Sequence, residues 1–388
     1  MRLYRVELYK LCHKKFFVIG IVCILSVLTL LFCQRVGAAK STINGIEYHG
    51  YEAVMADRQI TKEFTGLLSD DMIQQIVMKY GFPQKVEKYD GFSDSNFLNN
   101  FVATYASDGY LNDWEDYRIA TKSIPLAETH LGELSGMSGN EIWFAYYGEW
   151  NSYPEWYYLG MIMISILLLC VVSTTFSVEE QSNTKPLLFT TQEGPAKDTY
   201  VKIAAAFTLA IGLWLAVTVF SLLLYSIVYG TDSFHCLANL VISFSEPLIS
   251  FKMWLAQSLF LSLLGILELC TITLCISAYC HSTFHSVAVC AFCWAIPLLS
   301  SMVLRGIIQI LLASSLEQSV LSMCSLILFP FQLMLLATPF YLINFDIVSE
   351  LDNISFYQGI NAFCIIILFA AAVALLCIMG AYRKYRKR

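Results

Sequence analysis

Residues Phe16–Cys33 read FFVIGIVCILSVLTLLFC, an uncharged run of 18 residues. One helical crossing of a bilayer core of about 30 Å needs roughly 20 apolar residues, so this run predicts a transmembrane helix. A cleaved signal peptide is the alternative, because the small residues Val36-Gly37-Ala38 follow the run. The apolar core of a signal peptide is about 7 to 15 residues long, which is shorter than this run and favours a retained span.

Further apolar runs of similar length follow along the chain and predict more spans. They are Tyr157–Phe176, Ile203–Tyr229, Met253–Tyr279, Val287–Leu312 and Ile360–Tyr382. The composition agrees, since 57% of the 388 residues are hydrophobic, 14% are charged and the mean hydropathy is +0.60. Such a chain is too apolar for an ordinary soluble protein. The predicted fold is an α-helical polytopic membrane protein with six transmembrane helices and a mainly helical extracytoplasmic domain between the first two.

Basic residues are concentrated at both ends of the chain. Residues 1–15 carry five lysines and arginines, and residues 383–388 carry another five. Because cytoplasmic flanks are enriched in Lys and Arg, both termini are expected in the cytoplasm, which requires an even number of spans. The segment 313–358 contains Pro330 and Pro339. It is therefore expected to form short, broken segments near the outer surface, packed against protein, rather than a seventh span.

Residues 34–156 form the predicted extracytoplasmic domain. Between Gln34 and Glu155 there are 18 acidic and 9 basic residues, a net charge of −9. Helical spacing is expected at Tyr51–Tyr80 and Asp94–Tyr105. None of the thirteen cysteines lies in this domain, so no disulfide framework is expected. The aromatic residues between Trp143 and Trp156 allow two interpretations, an interfacial belt or a ligand surface.

Motifs for nucleotide or metal chemistry are absent from the sequence. The chain contains neither GxxxxGK[ST] nor HExxH. His281 and His285 have the spacing of a metal-binding pair on a helix and lie beside Cys280, but a polar turn is the preferred interpretation because no carboxylate is near them in sequence. No metal site and no catalytic residue are predicted.

Glu268 and Arg305 are the notable ionisable residues inside the predicted spans. Charges within a membrane are costly, so both are candidates for a functional role. For Arg305 the alternative is that its side chain reaches the outer membrane surface. Glu268 is predicted much deeper than Arg305, so a direct pair between them is not expected.

The stretch Phe176–Lys202 reads FSVEEQSNTKPLLFTTQEGPAKDTYVK and contains the predicted cytoplasmic loop 177–202. Pro186 suits a first helical turn and Gly194-Pro195 suits a stop, so a short helical element is predicted between them. Three apolar residues would lie on its face: Leu187, Leu188 and Phe189. An apolar face on a polar loop indicates docking to a partner, the alternative being contact with the inner membrane surface.

This loop and its flanks resemble the permease subunits of type-2 ABC exporters. In that family the second span runs into F-S-x-E, an L-L-x-[ST]-T element ends in glycine, and a lysine opens the third span. The matching residues are Phe176, Ser177, Glu179, Leu187, Leu188, Thr190, Thr191, Gly194 and Lys202. The opening ELYKL at Glu7–Leu11 and the layout of six spans with an external domain are also similar to bacterial members. The sequence departs from the pattern at Asn183-Thr184, where a glycine is usual, and at Pro195, where an arginine is frequent.

The resemblance implies a transporter of two permease chains, as a homodimer or heterodimer, with two cytoplasmic ATPase subunits that bind ATP and Mg²⁺. It places the chain in a bacterial cell membrane, exporting a peptide, an antimicrobial or a lipid-like compound, with no cofactor of its own and no nucleic-acid partner. Two segments would contact the ATPase, the coupling loop and an apolar stripe of residues 1–15 opposite Glu7, Lys10 and Lys14. The implied contact residues are Glu179, Glu180, Pro186, Leu187, Leu188, Phe189, Glu193 and Gly194 in the loop, and Tyr4, Leu8, Leu11 and Cys12 in the stripe.

Three other functions stay open on the sequence alone. The chain could be a non-transporting sensor or scaffold subunit whose acidic external domain binds a cationic peptide or a cell-envelope partner. It could also be a membrane enzyme or an ion-coupled secondary transporter. The missing metal and acid–base motifs count against an enzyme, and the lack of an obvious repeat between the two halves counts against a secondary transporter.

Overall fold

The computed structural model describes residues 2–86, 91–93, 95–109, 120–129, 131–132, 142–184, 194–242, 249–313, 331–345, 347–358 and 361–387. These residues are mostly helical. In chain order the helices are α1 (Arg2–Cys12), α2 (Lys15–Ala38), α3 (Tyr51–Thr61), α4 (Asp70–Tyr80), α5 (Phe97–Tyr105), α6 (Tyr153–Val172), α7 (Thr174–Gln181), α8 (Gly194–Tyr229), α9 (Ala238–Val241), α10 (Phe251–Tyr279), α11 (Thr283–Ala313), α12 (Pro339–Leu342), α13 (Ile347–Gln358) and α14 (Ala362–Lys387).

Five helical stretches of the described chain are long and apolar enough to cross a membrane. They include α2, α6 with α7, α8, α10 and α14. The predicted fifth span, Val287–Leu312, lies within α11, which has 31 residues and contains Pro297. Of that helix, Thr283–Pro297 qualifies as a shorter apolar helix. The described residues therefore establish five full-length candidates, one fewer than the six spans expected from the sequence.

Several helices extend beyond the predicted spans into polar sequence, and α8 and α14 are clear examples. Helix α8 begins at Gly194 rather than at Ile203. Gly194-Pro195 was expected to end the short helical element before it. These residues also begin the next helix, because the fixed φ of proline suits a first turn, where its missing N–H is not needed. Helix α14 continues to Lys387, past the predicted end at Tyr382.

The chain divides into two compact units. The first unit comprises Met1–Val27, Pro154–Phe220 and Ala256–Arg388, and the second comprises Leu28–Tyr153 and Ser221–Leu255. The second unit thus contains most of the predicted extracytoplasmic domain together with a later stretch of chain.

The described part of the second unit contains three small antiparallel sheets beside its helices. Strands β1 (Lys40–Ile43) and β2 (Ile46–His49) form a hairpin. Asn44 and Gly45 connect them with φ values of 53° and 78°, and a two-residue turn with both φ values positive matches the twist of the flanking strands. The other pairs are β3 (Gly66–Leu67) with β6 (Trp143–Phe144), and β4 (Gln84–Val86) with β5 (Gly91–Ser93). The expectation of a mainly helical domain missed these strands.

Helices in the second unit begin and end at recognisable signals. The predicted helical stretch Tyr51–Tyr80 is two helices, α3 and α4, and the Ser69 side chain caps α4 by accepting from the Met72 N–H. Helix α5 begins at Phe97, after a capping box in which the Asn96 and Asn99 side chains each accept a backbone N–H of the other. Such caps satisfy N–H groups that a helix start leaves without partners.

The hydrophobic core of the second unit lies between these helices and the β3–β6 pair. Its buried members are Phe64, Ile73, Ile76, Leu98, Phe101, Val102, Ala106, Leu131, Ile142, Phe144 and Leu240. Leu240 comes from the later stretch of chain, which therefore contributes to the fold of this unit.

Part of the aromatic cluster between Trp143 and Trp156 is buried. Trp150 is fully buried, and its indole N–H donates to the Gly230 carbonyl at 3.1 Å. Its ring lies 5.3 Å from the rings of Tyr153 and Tyr225 and 5.5 Å from that of Phe251. Aromatic pairs at such distances stabilise a packed interior, so these side chains are structural.

Asp57 on α3 joins three elements of the second unit. Its Oδ1 atom accepts a hydrogen bond from Ser41 Oγ on β1 at 2.6 Å and from the Phe97 N–H of α5 at 3.2 Å. Burial raises the pKa of the Asp57 carboxyl to about 6, although both hydrogen bonds favour the charged form. Desolvation therefore outweighs the two donors.

The raised pKa of Asp57 predicts that the second unit becomes less stable as pH rises from about 4 to about 6. In this window the folded state binds more protons than the unfolded state, so deprotonation costs stability, on the order of 3 kcal/mol for a shift of about two units. Hydrogen exchange of α3 peptides in the detergent-solubilised protein, corrected for intrinsic rates, measures this change.

Asp57→Asn is expected to flatten this pH dependence, because asparagine keeps an acceptor oxygen but does not titrate. Asp71→Asn, at an exposed position on α4, is the matched control and should behave like the wild type. A pH dependence in Asp57→Asn equal to that of the wild type would assign the effect to another group.

The broken helical segment before α13, residues 331–345, packs tightly within the first unit. Leu342 and Phe345 are fully buried. The Phe345 ring lies 4.5 Å from that of Tyr157 on α6, and Ser258 Oγ of α10 donates to the Phe345 carbonyl at 3.2 Å. Irregular backbone inside a membrane protein is tolerated where protein packs around it. Residues 314–330 of the same predicted segment lie outside the described residues.

Candidate functional site

A buried lysine in the first unit marks the candidate site. Lys202 on α8 is only 1% exposed. Its Nζ atom lies 2.6 Å from Glu179 Oε1 on α7 and 2.5 Å from Asp198 Oδ2, one turn earlier on α8. A buried ammonium is stable only with such partners, because its desolvation is costly.

Tyr385 near the end of α14 completes this arrangement, which we call the Lys202 cluster: Lys202, Glu179, Asp198 and Tyr385. The Tyr385 hydroxyl donates a hydrogen bond to Glu179 Oε2. The Tyr385 ring lies 5.8 Å from Lys202 Nζ and 4.8 Å from the Phe176 ring. Both oxygens of Glu179 are therefore engaged, and three helices meet at one carboxylate.

The junction between α6 and α7 is held by serines from neighbouring helices. Ser277 Oγ on α10 accepts from the Phe176 and Ser177 N–H groups at 3.0 and 3.2 Å. Ser286 Oγ on α11 donates to the Ser173 carbonyl at 2.6 Å. These bonds fix the direction in which α7 continues and thereby place Glu179 opposite Lys202.

The end of α7 also contacts the short turn between α10 and α11. Glu180 Oε1 lies 3.2 Å from His281 Nδ1, and Gln181 Oε1 accepts from Thr283 Oγ1 at 2.8 Å. His285 Nδ1 instead pairs with Ser282 Oγ at 2.6 Å. Among the described residues, no group of three or more His, Cys, Asp and Glu side chains is placed to hold a metal ion.

The N-terminal helix α1 lies beside both flanks of the predicted coupling loop. The Tyr4 hydroxyl donates to Thr208 Oγ1 of α8 at 2.8 Å. Lys14 Nζ, just after α1, donates to Thr174 Oγ1 at the start of α7 at 2.8 Å. The first segment of the chain is thus attached to the helices on either side of the loop.

One detail of the N-terminal stripe was predicted incorrectly. Glu7 was expected opposite the apolar stripe, but it is only 6% exposed, and it shares a face with Leu11, a member of the stripe that lies one turn later and is also buried. Lys10 Nζ lies 2.5 Å from Glu7 Oε1, and Glu7 is close enough to Tyr385 to interact with it electrostatically. Glu7 therefore faces the Lys202 cluster, while Leu8 is half-buried.

Most of the predicted coupling element belongs to the part of the chain that the structure does not describe. Pro186, Leu187, Leu188, Phe189 and Glu193 lie outside the described residues. The residues that flank this gap are described, and Glu179, Glu180 and Gly194 all lie on helices.

Of the two ionisable residues predicted inside the spans, Glu268 has a described side chain and Arg305 does not. Glu268 on α10 is 2% exposed, and its Oε2 atom has no hydrogen-bond partner among the described residues. Arg305 belongs to α11, and its side chain lies outside the described part of the chain. A buried carboxyl without a donor is costly, which keeps Glu268 a candidate for function.

Sequence reasoning found two members of the Lys202 cluster and missed two. Glu179 and Lys202 belong to the motif that carries the resemblance, but their contact was not expected. Asp198 lies four residues before Lys202, a spacing that brings side chains together on a helix and could have indicated the pair. Tyr385 is distant in sequence, and no local pattern connects it to Glu179.

The fold and this cluster define the class of the protein. The chain is a helical membrane protein of the polytopic type, with five described helices able to cross a bilayer and a buried ion cluster at the flanks of one loop. Comparisons with protein-family models, curated proteins and solved structures found no match for the chain.

Proposed function

We propose that this chain is the permease subunit of a type-2 ABC exporter, driven by ATP hydrolysis in separate ATPase subunits. In this proposal six helices cross a bacterial cell membrane, α11 supplying the fifth crossing and α14 the sixth, and both termini are cytoplasmic. Two permease chains, identical or different, assemble with two ATPases. The exported compound is a peptide, an antimicrobial or a lipid-like molecule.

The observation that carries the proposal is the contact between Glu179 and Lys202 at 2.6 Å. These two residues stand on either side of the loop 185–193, and both belong to the motif similar to that of the family. Their buried ion pair joins α7, which precedes the loop, to α8, which follows it. A force applied to such a loop reaches α7 and α8 together, as an ATPase-driven permease requires.

The other contacts of this region extend the same mechanical connection. Tyr385 joins α14 to Glu179, and Tyr4 joins α1 to α8. ATPase closure against the loop would therefore act on several helices at once. Such packed elements move between discrete arrangements rather than deforming continuously, so the push would tilt the helices and open an outward path for the substrate.

Association with an ATPase is the direct test of the proposal. Detergent-solubilised protein purified from its native membranes is expected to carry a co-purifying ATPase activity. Leu188→Asp and Phe189→Asp are each expected to lower this activity roughly tenfold or more, because an acid in the apolar centre of an interface removes a dominant contact and buries an unpaired charge.

Met78→Asp is the matched control, since Met78 is 81% exposed on α4 of the second unit and also receives an acid. It should retain the full ATPase activity. Absence of ATPase from the wild type in several mild detergents would refute the exporter and favour a sensor or scaffold subunit. Equal losses in all three variants would show a general effect of added charge.

A further inference from the structure

A cavity of about 480 Å³ lies within the second unit, at the junction of β1, α3, α5 and the chain leading to α6. Its polar lining includes Asp57, Glu149, Asn96, Asn100, Asn151 and Lys40. A volume of this size accepts a small organic molecule or the end of a peptide. All of its walls belong to described residues of a single unit, so the cavity is formed by one fold.

The charges at the cavity favour a cation. Asp57 and Glu149 are two carboxylates among its lining residues, whereas Lys40 is exposed to solvent. Asp57 Oδ1 accepts from Ser41 and from the Phe97 N–H, and no described residue donates a hydrogen bond to Oδ2. This oxygen is available to a donor that enters the cavity, and a carboxylate bonds most strongly to a charged donor.

The walls also present aromatic side chains. Phe97 lies 4.8 Å from the Tyr146 ring and 4.7 Å from the Tyr147 ring, each in an edge-on arrangement, and Tyr105 is hydrogen-bonded to Tyr147. These four residues line the cavity. Aromatic faces attract ammonium groups and pack against apolar groups, so they suit a ligand that carries both.

We propose that this cavity binds a primary ammonium group carried on an apolar body, with Asp57 and Glu149 contacting the ammonium and the tyrosines packing on the body. A peptide N-terminus and a free arylalkylamine share this chemistry. The inference goes beyond the proposed export function and does not depend on it, because it concerns the second unit alone.

Phenethylamine and 2-phenylethanol are matched probes, since they share the ring and the two-carbon arm and differ in the ammonium. Calorimetric titration of the full-length protein in detergent at pH 7.5 is expected to show saturable binding of phenethylamine and at least tenfold weaker binding of 2-phenylethanol. Asp57→Asn and Glu149→Gln should each weaken phenethylamine binding roughly tenfold, as expected for loss of a charge-assisted contact.

Glu52→Gln is the control variant, because Glu52 is an exposed acid on the same helix as Asp57 and does not line the cavity. It should bind phenethylamine like the wild type. Glu149→Gln keeps the test decisive if Asp57→Asn fails to fold. Equal affinity for the two probes, equal weakening in Glu52→Gln, or no binding of phenethylamine would each overturn the proposal.

A second titration distinguishes a peptide N-terminus from a free amine as the source of the ammonium. The tripeptide amide Phe-Ala-Ala is titrated with a free and with an acetylated N-terminus. Tighter binding of the free tripeptide than of phenethylamine supports the site and assigns it to a peptide N-terminus. Weaker binding supports it as a site for a free amine, whereas equal binding of the acetylated tripeptide would overturn it.

Discussion

Lys202→Met is expected to destabilise the protein by about 3 to 5 kcal/mol, the cost of leaving buried charges without their partner. Lys202 is the cation shared by Glu179 and Asp198 at 2.6 and 2.5 Å. Methionine has a similar length and fills the space, so the loss reports the charge rather than a cavity. Thermal unfolding of the purified protein in detergent measures the effect as a lower Tm.

Lys197→Met on the same helix is the control, because Lys197 is exposed and its substitution removes the same charge as Lys202→Met does. Its Tm should stay close to that of the wild type. A triple variant, Lys202→Met with Glu179→Gln and Asp198→Asn, should recover part of the lost stability, since no uncompensated charge then stays buried. Equal Tm values for the two single lysine variants would contradict a stabilising role for the Lys202 cluster.

This cluster also gives the ion pair a role that stability alone does not explain. Buried ion pairs are often no more stabilising than well-packed apolar residues of the same volume. What an apolar pair lacks is direction, because Glu179 must meet both Lys202 and the Tyr385 hydroxyl in one geometry. The cluster therefore fixes how α7, α8 and α14 are oriented, which is what the proposed transmission of movement from the loop would require.

Sequence alone predicted the long helices well because length and apolarity dominate their formation. The predicted span Met253–Tyr279 corresponds to α10 at Phe251–Tyr279. Some helices continue past the predicted spans into polar sequence, as α8 does from Gly194, because average hydropathy over a window falls where charged residues begin while the helix continues. The β1–β2 hairpin was not predicted, although Asn44-Gly45 is a sequence typical of a two-residue hairpin turn.

The candidate site was less predictable, for a physical reason. Pairs such as Tyr385 with Glu179 depend on packing between helices that are far apart in sequence, and no periodicity encodes such a contact. The cavity in the second unit depends on the same kind of information, since Asp57 and Glu149 come from segments that are far apart in sequence. Charge counting indicated an acidic domain, whereas the position of two carboxylates beside aromatic walls required the fold.

Gly265→Ala is expected to lower stability by about 1 to 3 kcal/mol, the usual cost of overpacking, although the same change is favourable in most helices. A methyl group at this position would lie 2.8 Å from Leu342 Cβ and 3.3 Å from the backbone nitrogen of Ile343, atoms that cannot rotate away. Gly212→Ala on α8 is the control, because nothing lies within 4 Å of its added methyl group.

The Tm of Gly265→Ala should therefore lie several degrees below that of Gly212→Ala, whose Tm should equal or exceed that of the wild type. Leu342→Ala would not relieve the clash, because the Cβ atom that is contacted remains, whereas Leu342→Gly combined with Gly265→Ala removes that atom. If Gly265→Ala unfolds at the same temperature as Gly212→Ala, the segment around Leu342 does not press on α10. If Gly265→Ala unfolds at a lower temperature, the broken helical segment packs against α10 through the close approach at Gly265. That contact then explains why α10 carries a glycine at the centre of an apolar helix.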